Sequence, residues 1–334
     1  MIALLAQHAA SRTPCALVTV VRSVPPTSAR PGDKAVVSAD GRLRGWVGGS
    51  CAEPLVRREA LRAMARGAPC LVHIRPQEAA ASEELDQGRW PGELTAASSC
   101  PSGGSLDAFI EPQLPKPQLL VFGDSPAART LIELGSLTGF RTCAIHPGAR
   151  ADDHPRADLV LDTLELSAAG PDMDSWAVVA TMGHYDEDAL QACLAHPGLD
   201  VALVASDRRA EAVREGLRRR GLDEVTLSRI RAPAGGVRGA TQEEIALFAL
   251  AELVAARRER RDGPSADLRR QVDAAMRRFT TDPVCGMAVD ITPAAISTLH
   301  EGRRVYFCSA GCLEKFESPA SRTVDTRGDL RHPG

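Results

Sequence analysis

Residues 118–131 read QLLVFGDSPAARTL, a short apolar run followed by a glycine turn and the start of a helix. The apolar run predicts a buried strand over Gln118–Phe122, and the residues after the turn predict a helix over Pro126–Leu137. A strand that passes through glycine into a helix is typical of the first unit of a dinucleotide-binding fold. Gly123 would make the turn, and Ala128 is small enough for the helix to pack closely on the strand.

The cofactor-binding features of such a fold are weaker than its structural features. Ser125 stands where a second glycine would let the backbone approach a pyrophosphate. The next strand ends in Ile145-His146-Pro147, without the acidic residue that binds a ribose. We therefore do not expect NAD(P) at this turn, and interpret the turn as structural or as a site for a different anion.

Strands and helices continue to alternate after this turn. Further strands are predicted at Arg141–Ile145, Asp158–Leu161, Ala177–Thr181 and Val201–Ala205, and helices at Asp186–Leu194, Ser206–Arg220 and Thr241–Arg257. This alternation predicts an α/β domain over residues 113–257, with a Rossmann-like, doubly wound parallel sheet.

Residues 1–112 have a different pattern, which predicts a separate α+β domain. One helix is predicted after Gly49, because Ala52, Val56 and Ala60 recur at a helical spacing, and Gly67 ends it. The predicted strands are short apolar runs between Gly and Pro turns, at Ala16–Val21, Ala35–Ser38, Cys70–Ile74 and Leu106–Ile110.

The remainder of the chain predicts a charged linker over residues 258–281, a small module over 282–320 and a loose tail over 321–334. The linker includes one amphipathic helix, with Leu268 and Val272 on its apolar face. A module of about 40 residues normally needs a metal ion or a partner for stability.

Composition excludes several classes of protein. The 334 residues carry a net charge of −3, which argues against a protein that binds bulk nucleic acid. The N-terminal stretch is not a convincing signal peptide, and no apolar run is long enough to predict a membrane span. We therefore expect a cytoplasmic protein. The nine cysteines are an odd number in a large chain, which argues against a disulfide framework.

Two cysteines adjoin Gly-Gly pairs. Cys51 follows Gly48-Gly49-Ser50 at the start of the predicted helix, and Cys100 precedes Gly103-Gly104. A helix N-terminus favours a thiolate and could equally hold a phosphate. The alternative is that Cys51 is a small residue packed under a tight turn. Four other cysteines lie in apolar runs and are predicted to be core residues: Cys15, Cys70, Cys143 and Cys193.

His184 follows the predicted strand Ala177–Thr181 and precedes a helix. This places it at the carboxyl edge of the sheet, where ligands bind in open α/β folds. It could ligate a group or transfer protons. The alternative is a turn histidine that is held by Asp186.

A third group of cysteines lies in the small C-terminal module. Cys308 and Cys312 are four residues apart and can share one helical face, and Cys285 would complete a three-sulfur set. Such a set suits Zn²⁺ or Cu(I), with His300 or Asp282 as a candidate fourth ligand. The alternative is a small core of reduced cysteines.

Taken together, these motifs resemble the XdhC/CoxI family of molybdoenzyme accessory proteins over about residues 10–256. The chain departs from the family's commoner pattern at Ser50, where a third glycine is often found, and at Asp124. Residues 282–319 look like a YHS domain, a small cysteine-containing module that is thought to bind metal. The resemblance rests on GWVGGSCAEP at 45–54, CPSGG at 100–104, FGDSP at 122–126, TMGHYDE at 181–187, APAG at 232–235 and EEIA at 243–246.

The resemblance implies a maturation factor rather than an enzyme. Such a factor binds the molybdenum cofactor, presents it to a cysteine desulfurase or other sulfurtransferase, and delivers it to an apo-xanthine dehydrogenase or a carbon monoxide dehydrogenase-type client. A homodimer is one assembly to test. The cofactor-binding residues expected on this basis are Gly48, Gly49, Cys51, Glu53, Cys100, Gly103, Gly104, Gly123, Ser125 and His184.

Two alternatives to this function stay open at the level of the sequence. The Gly123 turn leaves an NAD(P)-dependent oxidoreductase as one of them. The cluster of Cys285, Cys308 and Cys312 leaves a metal carrier or sensor, acting through the YHS-like module, as the other.

Overall fold

The computed structural model describes residues 1–49, 51–76, 92–98, 103–172, 174–237, 241–260 and 266–318. The chain forms two compact units. The first unit combines Met1–Pro115 with the chain from Ala266 onward, and the second unit is Lys116–Ser265.

The N-terminal part of the first unit is built on a mixed six-stranded sheet. Its elements are helices α1 (Ile2–Ala10) and α2 (Glu53–Arg66), and strands β1 (Cys15–Val24), β2 (Lys34–Ser38), β3 (Leu43–Gly45), β4 (Cys70–Pro76), β5 (Glu93–Ser98) and β6 (Ser105–Gln113). The strand order is β3-β2-β1-β6-β4-β5. Strands β4 and β5 pair in parallel, and the other neighbours pair antiparallel. This confirms the predicted α+β architecture.

Helix α2 covers this sheet as its sequence pattern predicts. Val56, Ala60 and Ala63 recur at a helical spacing and are fully buried in the core of the first unit. The helix ends at Gly67, which adopts the left-handed conformation (φ 66°) that favours glycine.

The second unit is an all-parallel sheet with helices on both faces. Its elements are strands β7 (Gln118–Phe122), β8 (Arg141–Ile145), β9 (Leu159–Leu161), β10 (Ser175–Val179), β11 (Asp200–Leu203) and β12 (Ile230–Arg231), and helices α3 (Pro126–Leu137), α4 (Asp186–Leu194), α5 (Asp207–Arg219), α6 (Glu224–Leu227) and α7 (Gln242–Arg260). The order β12-β11-β10-β7-β8-β9 is that of a Rossmann-like sheet, with the topological switch between β7 and β10. The predicted doubly wound fold is confirmed.

The C-terminal segment returns to the first unit. It contains helix α8 (Ala266–Met276), strands β13 (Phe279–Thr281), β14 (Ala288–Asp290), β15 (Ile296–His300) and β16 (Arg303–Phe307), and helix α9 (Ala310–Glu317). Strands β13 and β14 form one antiparallel pair, and β15 and β16 form another. No helix in the described part of the chain is long and apolar enough to cross a membrane.

The segment predicted as a charged linker, residues 258–281, differs from that expectation. Part of it is the amphipathic helix α8, whose apolar face is not exposed. Leu268, Val272 and Ala275 are each 4% exposed or less and belong to the same core as α2. The stripe is buried because leaving it in water would cost the hydrophobic free energy of these side chains. The predicted tail over 321–334 lies outside the described residues.

An ion pair joins the C-terminal segment to α2. The Arg57 guanidinium donates to Asp290 Oδ2 at 2.7 Å and to the carbonyl oxygen of Gly41, also at 2.7 Å. The two side chains of the pair are only 10% and 13% exposed. A pair at this depth is sensitive to the loss of either partner, because the remaining charge stays poorly solvated.

We predict that Arg57→Met lowers the free energy of unfolding by about 2–3 kcal/mol, because it leaves the Asp290 carboxylate buried without its main partner. Urea denaturation of the full chain measures the change. The control is Arg270→Met, which removes a pair with Asp267 whose side chains are 72% and 63% exposed. We expect a loss below about 1 kcal/mol for the control. Equal losses in both variants would contradict this role for Arg57.

Candidate functional site

The turn before α2 carries the first group of predicted site residues. Gly48 has a φ of +121°, and Cys51 lies half-buried two residues before Glu53, the first residue of the helix. Among the described residues, a Cβ atom on Gly49 would have one neighbour within 4 Å, the Ser28 hydroxyl oxygen at 3.9 Å. The described residues therefore do not require glycine at 49 for packing, and they leave the backbone there open to an approaching group.

In the second Gly-Gly pair, Gly103-Gly104, packing does require one of the glycines. A Cβ atom on Gly104 would lie 2.2 Å from the carbonyl oxygen of Pro26, so the close approach of two backbones requires this glycine. Gly103 has a φ of +70°, and a Cβ atom there would meet none of the described residues within 4 Å. Cys100, the cysteine predicted beside this pair, lies outside the described residues.

The three C-terminal cysteines lie together. Cys285 Sγ is 3.4 Å from Cys308 Sγ, which is 3.7 Å from Cys312 Sγ. Asp282 completes the group, and the four ligand atoms lie within 4.8 Å of one another. The other candidate fourth ligand, His300, is exposed and lies against the Phe316 ring. A compact set of three sulfurs and one carboxylate oxygen can coordinate a tetrahedral ion such as Zn²⁺.

Asp282 also organises the backbone around these cysteines. Its Oδ1 accepts from the amide of Val284, and its Oδ2 accepts from the amide of Cys308, both at 2.8 Å. Burial raises the pKa of this carboxyl, but these backbone hydrogen bonds outweigh burial and lower it. The carboxylate is therefore ionised at neutral pH. Ser309 caps helix α9 and accepts from the amide of Cys312, which fixes the last ligand.

Two thiols of this cluster have raised pKa values, in contrast to the lowered pKa of the Asp282 carboxyl. Burial is the largest cause of the raised pKa of Cys308 and of Cys312. Both thiols are therefore protonated at neutral pH in the metal-free protein. Binding of a metal ion would displace these protons, as it does at other thiolate sites.

Cys51 lies against this cluster, which the sequence analysis treated as an independent site. It packs with Cys285, Met287 and Cys312 in one apolar group. The segment that carries the predicted YHS-like module is therefore part of the first unit, and the N-terminal cysteine and the C-terminal cluster are neighbours. Cys51 and Cys285 are 234 residues apart in the chain, so no local pattern could show this contact.

A cavity of about 220 Å³ opens beside Cys51 and Cys285. Arg58 and Arg62 lie in its wall, and each donates to the buried carboxylate of Glu59, at 3.1 Å and 2.9 Å. Two guanidinium groups against one carboxylate leave a net positive charge. The cavity can therefore accept an anion next to thiol groups.

The predicted residues of the second unit lie at the carboxyl edge of its sheet. A Cβ atom on Gly123 would lie 2.4 Å from the carbonyl oxygen of Ala180, so this glycine allows the β7 turn to pass the end of β10. The Ser125 hydroxyl donates to the same carbonyl at 2.8 Å and accepts from the amide of Ala128. Both residues thus have structural roles, and their contact with a cofactor stays a prediction.

His184 is exposed at this edge, as predicted. Its Nδ1 donates to the carbonyl oxygen of Thr181 at 2.8 Å, which leaves Nε2 as the atom that could contact a ligand. The expected alternative partner, Asp186, instead pairs with Arg209 at 2.6 Å. The predicted pocket that combines His184 with Cys51 joins residues of two different units and stays a prediction.

The four cysteines predicted to be core residues are confirmed as such. Cys15, Cys70, Cys143 and Cys193 are each 4% exposed or less. Burial raises the pKa of Cys143 to about 12, which keeps that thiol protonated and unreactive.

Two family models match this chain. The model described as the XdhC and CoxI family matches residues 8–75, and the model described as the XdhC Rossmann domain matches residues 119–253. The first stretch contains β1 to β3 and all but the last residue of β4, and the second contains all but the first residue of β7 together with β8 to β12. The Cys51 turn and the Gly123 turn lie within these stretches.

Known proteins similar to the chain include a curated relative and a solved structure. The relative is "Uncharacterized protein YqeB" of Escherichia coli K12, which is 27% identical over 227 residues. That match covers 66% of this chain and 39% of the relative. The structure is of a protein described as a xanthine dehydrogenase from Bacillus halodurans, at 17% identity and a TM-score of 0.40. It covers 80% of this chain and 98% of that one.

The two glycine pairs give a prediction about packing. Gly104→Ala should lower the free energy of unfolding by about 1–3 kcal/mol, because the new methyl group would meet the Pro26 carbonyl. Gly49→Ala should change it by less than about 1 kcal/mol, because the site has room for a methyl group. Thermal and urea unfolding of both variants measure the difference. If Gly49→Ala were the more destabilising change, Gly49 would be a packing residue and not an open one.

Proposed function

The chain belongs to the XdhC/CoxI family, and from this premise we propose that it is an accessory factor that binds the molybdenum cofactor and assists its sulfuration and insertion. The client would be an apo-enzyme of the xanthine dehydrogenase or carbon monoxide dehydrogenase type. A cysteine desulfurase or sulfurtransferase would be the second partner, and the chain would act in the cytoplasm. The observation that carries the proposal is the cavity beside Cys51, in which thiols and arginines meet.

The chemistry of the cavity fits one end of this cofactor. The cofactor is an anion with a phosphate group and a soft, sulfur-bound metal. Cys51 and Cys285 supply soft donors, and Arg58 and Arg62 supply positive charge. The volume of about 220 Å³ is below the roughly 300–1,000 Å³ of pockets that enclose a whole small molecule. We therefore propose that it holds the sulfur-rich end, and that the remainder extends beyond it.

The chain's own residues would bind and shield the cofactor and carry out no reaction on it. When bound, the cofactor supplies the molybdenum centre that the client enzyme later uses. Gly48, Gly49 and Glu53 would border it at the start of α2, where exposed amides favour an anion. Gly103 and Cys100 would extend this border. In the second unit, Gly123 and His184 are the residues proposed to contact the cofactor. These contacts are part of the proposal.

A purification experiment tests the role of Cys51. We predict that Cys51→Ser, produced in cells that make the cofactor, co-purifies with about tenfold less molybdopterin than the wild type, because a soft donor is lost. Oxidation of the released pterin to its fluorescent form measures the content. The control is Cys15→Ser, a fully buried cysteine of β1. Unchanged molybdopterin in Cys51→Ser would refute the role of this residue.

A second candidate function is metal binding through the YHS-like module, acting as a carrier or sensor. The observation that favours it is the four-donor group of Asp282, Cys285, Cys308 and Cys312. Such a donor set suits Zn²⁺ or Cu(I). It would also stabilise a segment that has few core residues of its own.

Thiol reactivity tests this second function. We predict that Zn²⁺ protects Cys285, Cys308 and Cys312 from alkylation by iodoacetamide, and that it slows alkylation of Cys51 because Cys51 packs against the cluster. Mass spectrometry of the digested protein measures each site. In Cys308→Ser the protection should be lost at Cys285, Cys312 and Cys51. Protection that persists in Cys308→Ser would contradict metal binding by this group.

The oxidoreductase alternative has less support. The Ser125 hydroxyl already makes two hydrogen bonds, to Ala180 and Ala128, and strand β8 is followed by His146 rather than by an acidic residue. Titration with NAD(H) and NADP(H) decides between an accessory factor and an oxidoreductase, because turnover with micromolar binding would favour the oxidoreductase.

A further inference from the structure

Three side chains that can bind a metal ion meet at the carboxyl edge of the parallel sheet in the second unit. Asp124 follows β7, His146 follows β8, and His154 follows a short 3₁₀ turn at Ala151–Asp153. Strands β7 and β8 pair in parallel, with Phe122 opposite Ile145, so the first two residues leave the sheet side by side. The carboxyl edge of a parallel sheet is where ligands bind in this class of fold.

The distances suit one metal ion. His146 Nε2 lies 2.9 Å from His154 Nε2, and His154 Nε2 lies 3.8 Å from Asp124 Oδ1. Two imidazole nitrogens that are each about 2.1 Å from one ion, at right angles, lie about 3.0 Å apart. Two histidines and one carboxylate are also a recurrent donor set for divalent transition metals.

The surroundings hold these donors in place. His146 Nδ1 is 3.2 Å from the carbonyl oxygen of Pro147, so a proton on Nδ1 would leave the lone pair of Nε2 facing the other two groups. The side chain of His154 is only 2% exposed, which fixes its ring. Arg129 binds the Asp124 carboxylate at 2.8 Å through two nitrogens and orients it. Hydrogen-bonded carboxylates and histidines of this kind are usual around metal sites.

The charges at the cluster are compatible with a cation. In the described part of the chain, the charged groups that act on it include Arg129 and Asp153, in addition to Asp124 itself. Two carboxylates and one guanidinium leave a net charge of −1 before any ion binds. Asp124 is 40% exposed, which leaves one side of the cluster open to solvent and to an incoming ligand.

We propose that Asp124, His146 and His154 form a binding site for one divalent first-row transition metal ion. The site is distinct from the cysteine cluster in both place and chemistry, because it lies in the second unit and contains no sulfur. It does not depend on the proposed function. An ion here would have open coordination positions toward solvent, where a small anion or a polar group of a partner could bind.

Metal titration of the full chain tests the proposal. Equilibrium dialysis against Zn²⁺ should give one equivalent fewer for His146→Ala than for the wild type. Asp124→Asn should weaken the same equivalent by about tenfold or more. The control is His8→Ala, a half-buried histidine of α1 in the first unit, which should match the wild type. His146 is half-buried, so its substitution should leave the core intact. His154 is buried, and a substitution there could also destabilise the fold.

Cobalt spectroscopy separates this site from the cysteines. In the Co²⁺-loaded chain, His146→Ala should lose absorption from one ion while the sulfur-to-cobalt charge-transfer absorption stays unchanged. Equal stoichiometry in the wild type and in His146→Ala would overturn the proposal. The two imidazoles would then form only a hydrogen bond with each other. A loss of the sulfur signal in His146→Ala would also overturn it, because the two sites would not be independent.

Discussion

The burial of one apolar stripe on α8 is the constraint on which the arrangement of the first unit depends. Leu268, Val272 and Ala275 complete the core against which α2 packs. The chain that follows must then continue along the same unit, and the pair of Arg57 with Asp290 holds it there. This packing places the C-terminal cysteines next to Cys51. No motif in the cysteine segments themselves determines that position.

The parts of the fold that local patterns decide could be predicted from the sequence. Strand Gln118–Phe122 and helices Pro126–Leu137 and Asp186–Leu194 begin and end where predicted. Each has a continuous apolar run, or a helical stripe bounded by glycine, proline or a capping residue. Strand β5, Glu93–Ser98, was missed, because its sequence ELTAAS has neither strict alternation nor a strong apolar run. Its pairing with β4 supplies the stability that its own residues lack.

Only separate parts of the candidate site beside Cys51 could be predicted from the sequence. The amphipathic stripe of α8 was visible, but the sequence could not show which surface would cover it. The cysteines were therefore assigned to two separate sites. The histidine pair was missed for a related reason: His146 and His154 are eight residues apart in irregular chain, where no periodic pattern predicts a contact. Asp124 was visible only as a departure from a family pattern. Its meeting with both histidines depends on the register of β7 and β8.

The first unit is discontinuous, because residues 116–265 are inserted between its two parts. During synthesis the whole parallel-sheet unit is made before α8. Domains generally fold as units in the order in which they emerge, so this unit can form its core while the first unit is still incomplete. Until α8 arrives, the face of α2 that it covers is open to water and to other apolar surfaces. The thiols of Cys51 and Cys285 meet only after α8 and the segment behind it have been made, so an intact cysteine cluster would report that synthesis has passed Cys312.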